Sequence, residues 1–306
     1  MAEFALLCPG QGSQSPEMFD FALGHSRGRE VIEAFEATLG LGLVARARAN
    51  ERLFDNTFAQ PALVAVALAN WAVLAPDLPS PLLFAGYSVG EVSAWGCAGA
   101  WDAAWCARVA AERARLMDAD SPADCGMLAV RGLRHEELVV LASSLHVAII
   151  NDPHHLVLAG KLADIELADG SLTAHGATTR RLDVRVPSHT PLLAGACRAL
   201  GQFLQSVPMR DVPVPVLRGI DGLALRHGAQ GKLALEQAVS HTIRWDLCQR
   251  TIAESGVRVL LELGPGRSLT KISADQETES LIVGRSIADF RSADGIARWL
   301  ERQLEQ

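Results

Sequence analysis

"FAGYSVGEVSAW", Phe84 to Trp95, is the stretch on which the fold turns. An apolar run, "PLLFAG" (81–86), leads into it, Ser88 sits between Gly86 and Gly90 at the spacing G-x-S-x-G, and a helical pattern follows to about Ala98. Strand, sharp turn and helix form the context of a nucleophile elbow. Small residues on both sides let the strand and helix pack closely. The serine then lies at a helix N-terminus, where unpaired N–H groups and the helix dipole favour negative charge. In that geometry the N–H of Val89 faces the position where an oxyanion forms on an attacked carbonyl. The alternative is an ordinary serine-bearing turn, because this short pattern also arises by chance.

A nucleophilic serine needs a second oxyanion donor and a base. "CPGQGSQ" (8–14) follows the apolar run "FALLC" (4–8) and is a glycine-rich loop whose backbone can approach a ligand closely. It begins like a dinucleotide fingerprint, but Ser15 occupies the third glycine position, and that reading gives Ser88 no role. A plain strand-to-helix turn is the other reading. Nine histidines are available, and composition does not choose among them. His189, in "VRVPSHTP", follows a strand and a Pro187 turn, where catalytic residues often sit. Asp152 and His154 form a fragment of a metal site, or a solvated hairpin turn. On a helix from Trp101 the apolar stripe runs Trp105, Val109, Leu116. Arg113 lies about 50° from its centre, closer than Arg108 or Arg115. An inward arginine usually has an anionic partner, either a ligand carboxylate or the neighbouring Glu112.

Composition narrows the classes. The chain has 306 residues, 49% hydrophobic and 21% charged, with a net charge of −7. It has no long basic run, which argues against nucleic acid as a partner. The start, "MAEFALLCPG", lacks a basic leader and a long apolar core. The tract Ala62–Ala75 is shorter than the roughly 20 residues of a membrane span and reads as a buried helix starting near Gln60, with Pro61 in its first turn. Six cysteines without C-x-x-C spacing fit free buried thiols in a reducing cytoplasm, and no metal site is expected.

From Ser121 the texture changes. "MLAV", "HEELVVLASSL", "VAIIN", "HLVLAG", "LADIELADGSLTAHG" (broken at Gly170) and "TTRRLDVRV" read as β-α-β-β-α-β, the split βαβ unit of a ferredoxin-like domain. Helices and buried strands resume on either side. "VPVPVLRG" reads as a proline-interrupted edge strand, and "VRVLLELGPG" (257–266) as a last buried strand.

Taken together, "PGQGSQ" (9–14), "GYSVGE" (86–91), "ER" (112–113), "VPSH" (186–189) and "LGPG" (263–266) resemble the malonyl-CoA:acyl carrier protein transacylase family in order and spacing. The resemblance covers nearly the whole chain. It implies a large α/β-hydrolase-like domain with a parallel sheet core (1–125 and 191–306) and a small inserted ferredoxin-like domain (126–190). It implies that Ser88 takes the acyl group from coenzyme A, that His189 is its base, that Arg113 binds the malonyl carboxylate, and that Gln11 and Val89 supply the oxyanion N–H groups. No bound cofactor is implied. Malonyl-CoA is the donor, and the thiol on a carrier protein's prosthetic arm is the acceptor.

Two departures stand out. Tyr87, the only tyrosine, replaces the histidine usual before the serine. Ala238 falls where the family offers a Gln or Asn carbonyl to orient the histidine. The Tyr-Ser-Val core and "AWGCAGAW" (94–101) resemble most the malonyltransferase (epsilon) subunit of bacterial malonate decarboxylase, whose acceptor is a dedicated carrier subunit. Carriers of this kind are acidic, so docking on an acidic chain calls for a local basic patch. Arg181 and Arg185, on one face of the strand leading to His189, are the candidates to supply it, the alternative being that they are solvated strand charges. A malonyl-CoA:acyl carrier protein transacylase of fatty-acid or polyketide synthesis, a serine esterase or thioesterase, and a non-catalytic carrier-binding subunit are the competing readings.

Overall fold

The computed structural model describes residues 3–275 and 282–306. Two of the buried runs in the sequence, β1 (Glu3–Cys8) and β2 (Leu83–Gly86), lie side by side in parallel. The chain then builds β3 (Cys125–Arg131), β4 (His146–Asp152), β5 (His155–Lys161) and β6 (Thr178–Arg181). It returns through β7 (Val216–Leu217), β8 (Ala224–Leu225), β9 (Ile243–Arg244), β10 (Val257–Glu262) and β11 (Val283–Ser286). The first sheet has the order β11-β10-β1-β2-β7-β8 and is parallel up to β7, with β8 antiparallel at its edge. The second has the order β6-β3-β5-β4-β9. Its first four strands are antiparallel and carry one helix in each crossover, as a ferredoxin-like unit requires. The fold is thus a large α/β domain with a small inserted α+β domain.

The period of two in β1 explains how the layers join. Phe4, Leu6 and Cys8 enter one core, against the helices Asn56–Leu74 and Ala103–Asp120. Ala5 and Leu7 enter a second core, shared with Met127, Ala148, Ile149, Val157 and Ala159 of the small sheet. The opposite face of that small sheet, Leu128, Val130, Leu156 and Leu158, packs on Leu138, Ile165 and Leu172 of its own two helices. One strand therefore anchors both the outer helical layer and the inserted domain.

Several local expectations change in three dimensions. The proline helix starts at Asn56, so Pro61 lies within it. At 19 residues it is long and apolar enough to cross a membrane, yet 83% of that window is buried inside the protein. The helix Leu162–Ala174 runs through Gly170 unbroken. β6 stops at Arg181 rather than continuing to Val186. The proline-interrupted strand is only β7, two residues long, and β8 holds the edge. β9, from a segment assigned to the large domain, pairs in parallel with β4 of the small sheet.

The elbow leaves no room for side chains. A Cβ on Gly90 would stand 2.0 Å from the Cys8 carbonyl oxygen, and one on Gly86 would stand 2.2 Å from the Gly90 carbonyl carbon. Both obstacles are backbone. Gly170, by contrast, is exposed on its helix with nothing within 4 Å of an added Cβ. We expect Gly90→Ala to lower stability by about 3 kcal/mol, and Gly170→Ala to raise it by about 0.5–1 kcal/mol. Urea unfolding of the two variants checks this. A neutral Gly90→Ala would mean that the elbow is looser than described.

Candidate active site

Ser88 occupies the turn between β2 and the helix Gly90–Cys97 with φ at 58°. This left-handed conformation costs a non-glycine residue about 1–2 kcal/mol. The turn is pinned on both sides, because the Tyr87 N–H donates to the Cys8 carbonyl and the Gly90 N–H donates to the Tyr87 carbonyl. Val89 caps the helix, and its N–H has no acceptor among the described residues. The Gln11 N–H is likewise unspent there. The loop bearing Gln11 is shaped by Gln14, whose Oε1 accepts from the Gly12 N–H at 2.6 Å and whose Nε2 donates to the Leu53 carbonyl at 3.3 Å. The loop passes close enough that a Cβ on Gly10 would lie 3.5 Å from Cβ of Ser88. Both N–H groups are therefore free to donate beside the serine.

His189 meets Ser88 from the other domain's exit segment. Its Nε2 lies 2.8 Å from the serine Oγ, and its Nδ1 lies 2.5 Å from the Ala238 carbonyl oxygen. A carbonyl only accepts, so Nδ1 carries the proton and Nε2 is left to accept from the Ser88 hydroxyl. The backbone is held as well: φ is 63° at His189, and its N–H donates to the Val239 carbonyl at 3.0 Å. Ala238 thus serves through its main chain, at the end of the helix Gly228–Gln237.

Arg113 is 2% exposed. Its Nη1 donates to Oε1 of Gln60 at 2.6 Å, while Nη2 is buried with no acceptor among the described residues. Burial lowers its pKa to about 10, and nearby Glu91 offsets that in part, so it stays charged at neutral pH. Glu112 points away and pairs with Arg115. Glu91 is fully enclosed, with one oxygen accepting from the Gly219 N–H at 3.2 Å. Burial pushes its carboxyl up to about 8, against the pull of Gly219 and of Arg113 and Arg218.

Other residues single themselves out only in three dimensions. Tyr87 donates its hydroxyl to Oδ1 of Asn151 on β4 at 3.0 Å and stacks edge-on against Trp245. Gln60 and Asn151 were not legible as site residues, because Gln60 shares its largely apolar helix with the polar Asn56, Thr57 and Asn70 and nothing in the local pattern sets it apart. Arg181 and Arg185 stand apart from this group. Arg181 pairs with Glu166 at 3.1 Å, and Arg185 is exposed in the loop beyond β6. Leu182 and Val184 turn inward against the shared core. His154 and Asp152 make a hydrogen-bonded turn. Among the described residues, no group of three or more His, Cys, Asp and Glu side chains could hold a metal.

A strained serine, a histidine held in one tautomer, two free N–H groups and a buried arginine are the parts that acyl transfer at a serine calls for. The model of the acyl transferase domain matches residues 5–276. The malonyl CoA-acyl carrier protein transacylase of Haemophilus influenzae is 30% identical over 286 residues, 89% of this chain and 92% of that protein. The structure of the corresponding transacylase from Coxiella burnetii superposes with a TM-score of 0.92 at 25% identity, covering 99% of this chain and 98% of the other. A malonyl-transacylase, PlMCAT, solved in complex with AntF, a type II polyketide acyl carrier protein, superposes at 0.88 and 28% identity, with 99% of each chain covered. The chain belongs to the malonyl-CoA:acyl carrier protein transacylase family.

His189 also yields a pH prediction. Burial, and secondarily the Arg113 charge, lower its pKa from 6.5 to about 3, against the pull of the Ala238 carbonyl. With the neutral ring as the expected base of Ser88, the rate of Ser88 acylation is expected to stay level as pH falls through 6.5 and to decline only below about 4. Stability has the opposite problem: below 6.5 the unfolded chain takes up a proton that the folded ring refuses, so this residue destabilises the fold toward acid. A stopped-flow pH profile with a midpoint near 6.5 would contradict the enclosed setting of the ring.

Proposed function

We propose that this protein is an S-malonyltransferase that moves malonyl from malonyl-CoA to an acyl carrier protein of fatty-acid or polyketide synthesis. The observation that carries the reading is the buried, unpaired Nη2 of Arg113, close enough to His189 for its charge to be felt there. A stranded cationic donor is costly unless a ligand anion completes it, and a malonyl carboxylate is such an anion. No acidic third member is required, because a carbonyl sets the histidine tautomer.

In the first half-reaction Ser88 Oγ attacks the thioester carbonyl while Nε2 of His189 takes the hydroxyl proton. The tetrahedral oxyanion accepts from the Gln11 and Val89 N–H groups. The carbon–sulfur bond breaks, and His189 returns the proton to the departing thiolate. The second half runs the same steps in reverse with the carrier thiol, giving ping-pong kinetics. Six buried free cysteines support a reducing compartment, the cytoplasm.

A second reading, the malonyltransferase subunit of a malonate decarboxylase, is favoured by Tyr87 and the "YSV" core. Offering both carrier types separates the two, since the preferred acceptor identifies the system.

Mixing the protein with malonyl-CoA should add one malonyl group by intact mass, and Ser88→Ala should show none. An unchanged adduct on Ser88→Ala would end the proposal. Arg113→Ala should lose malonyl transfer by about 10- to 100-fold while keeping acetyl transfer; equal losses would make Arg113 structural.

For the carrier we propose docking on the basic segment before His189. Arg185→Glu with Arg181→Glu should weaken transfer to the carrier and spare acylation by malonyl-CoA, with the difference shrinking at high salt. The Arg181–Glu166 pair is exposed, so its loss costs little stability. Normal carrier kinetics in the double variant would place docking elsewhere.

A further inference from the structure

Arg113 is the end of a longer polar chain. Nη1 donates to Gln60 Oε1, Gln60 Nε2 donates to Asn56 Oδ1 at 2.6 Å, and Asn56 Nδ2 donates to Asp118 Oδ1 at 2.9 Å and to the Ala114 carbonyl at 3.2 Å. Asn56 and Gln60 are one turn apart on the proline helix, and Arg113, Ala114 and Asp118 lie on the neighbouring helix. The chain thus crosses the interface between those helices twice. Gln60 is fully buried and Asn56 nearly so, while Asp118 is exposed at the far end.

The direction of every bond is dictated by the two ends. A guanidinium only donates, so Gln60 must turn its oxygen to Arg113 and its NH₂ to Asn56. Asn56 must then present its oxygen and aim its own NH₂ at acceptors. A carboxylate and a carbonyl stand there, and neither competes as a donor. Neither amide has an equally good flipped state.

We propose that Gln60, backed by Asn56 and Asp118, is a positioning residue for acidic acyl groups: it aims Arg113 with a neutral acceptor and leaves the arginine charge unspent for the substrate carboxylate. This rests on the malonyltransferase reading. A glutamate in the same place would make the same hydrogen bond and also neutralise the arginine, so the substrate would have to displace an internal anion. The protein instead keeps its carboxylate at Asp118, two amides away and in solvent. Gln60 Nε2 also lies 3.6 Å from the Met117 sulfur, a weak contact that adds no charge. Glu91, the acidic side chain whose charge, when ionised, reaches Arg113, is pushed up to about 8 by burial and makes its hydrogen bond to the Gly219 N–H rather than to the guanidinium.

The test measures Ser88 acylation by malonyl-CoA and by acetyl-CoA in wild type, Gln60→Glu, Gln60→Leu and Asp118→Ala. Melting temperatures are recorded alongside. Wild type must first form the malonyl adduct; without it the functional reading fails and the positioning role falls with it. Given that adduct, Gln60→Glu should lower malonyl kcat/KM by about 100-fold and leave or raise acetyl kcat/KM. Gln60→Leu should raise malonyl KM about tenfold with little change for acetyl. Asp118→Ala, on the surface and safe for folding, should shift the malonyl-to-acetyl ratio the same way by about threefold. Equal losses for the two acyl groups, or an unchanged ratio in Asp118→Ala together with an unchanged ratio in either Gln60 variant, would overturn the proposal.

Discussion

The Nδ1–H of His189 donates to the Ala238 carbonyl over 2.5 Å, and the rest of the site is arranged around that bond. It leaves Nε2 as the acceptor that faces Ser88 at 2.8 Å. It also ties the segment leaving the small sheet to the end of the helix Gly228–Gln237, and the chain after that helix runs on directly into β9. With the Val239 carbonyl holding the backbone N–H, the histidine is fixed at both ends by main chain alone. The left-handed backbone at His189 and at Ser88 is tolerable because hydrogen bonds and close packing over-determine both turns.

The electrostatics of the site follow a single pattern: charges are enclosed and their neutralising partners withheld. Arg113 is held by an amide, Glu91 by a backbone N–H, and His189 by a carbonyl. Burial then moves each group toward its neutral form, lowering Arg113 and His189 and raising Glu91.

Much of this was written locally in the sequence. The elbow was legible because strand, turn and helix are consecutive, and the β-α-β-β-α-β run because each element carries its own period. The inward face of Arg113 followed from helical geometry. What was not legible depended on distant residues. β6 ends at Arg181 although the alternation continues: Leu182 still donates its N–H to the Met127 carbonyl of β3 at 3.0 Å, but the strand pairing goes no further, and Leu182 and Val184 pack on the shared core. The helix tolerates Gly170 because Ile165, Ala168 and Leu172 bury its inner face. Pro61 sits inside its helix because packing on nearly every side outweighs the missing hydrogen bond. β9 is two residues long and has no pattern of its own. Gln60, Asn56 and Asn151 gain meaning only from partners far along the chain.

β9 carries a consequence for how the molecule is made. During synthesis β4 emerges and pairs with β5 while the residues of β9 are still far from the ribosome exit. Until they arrive, one side of β4 is an open sheet edge, able to recruit any extended strand. The closing strand comes from the segment that also delivers the Ala238 carbonyl to His189. Protection of the nascent edge and completion of the histidine's support are therefore one event, so a chain truncated before Ala238 would lack both.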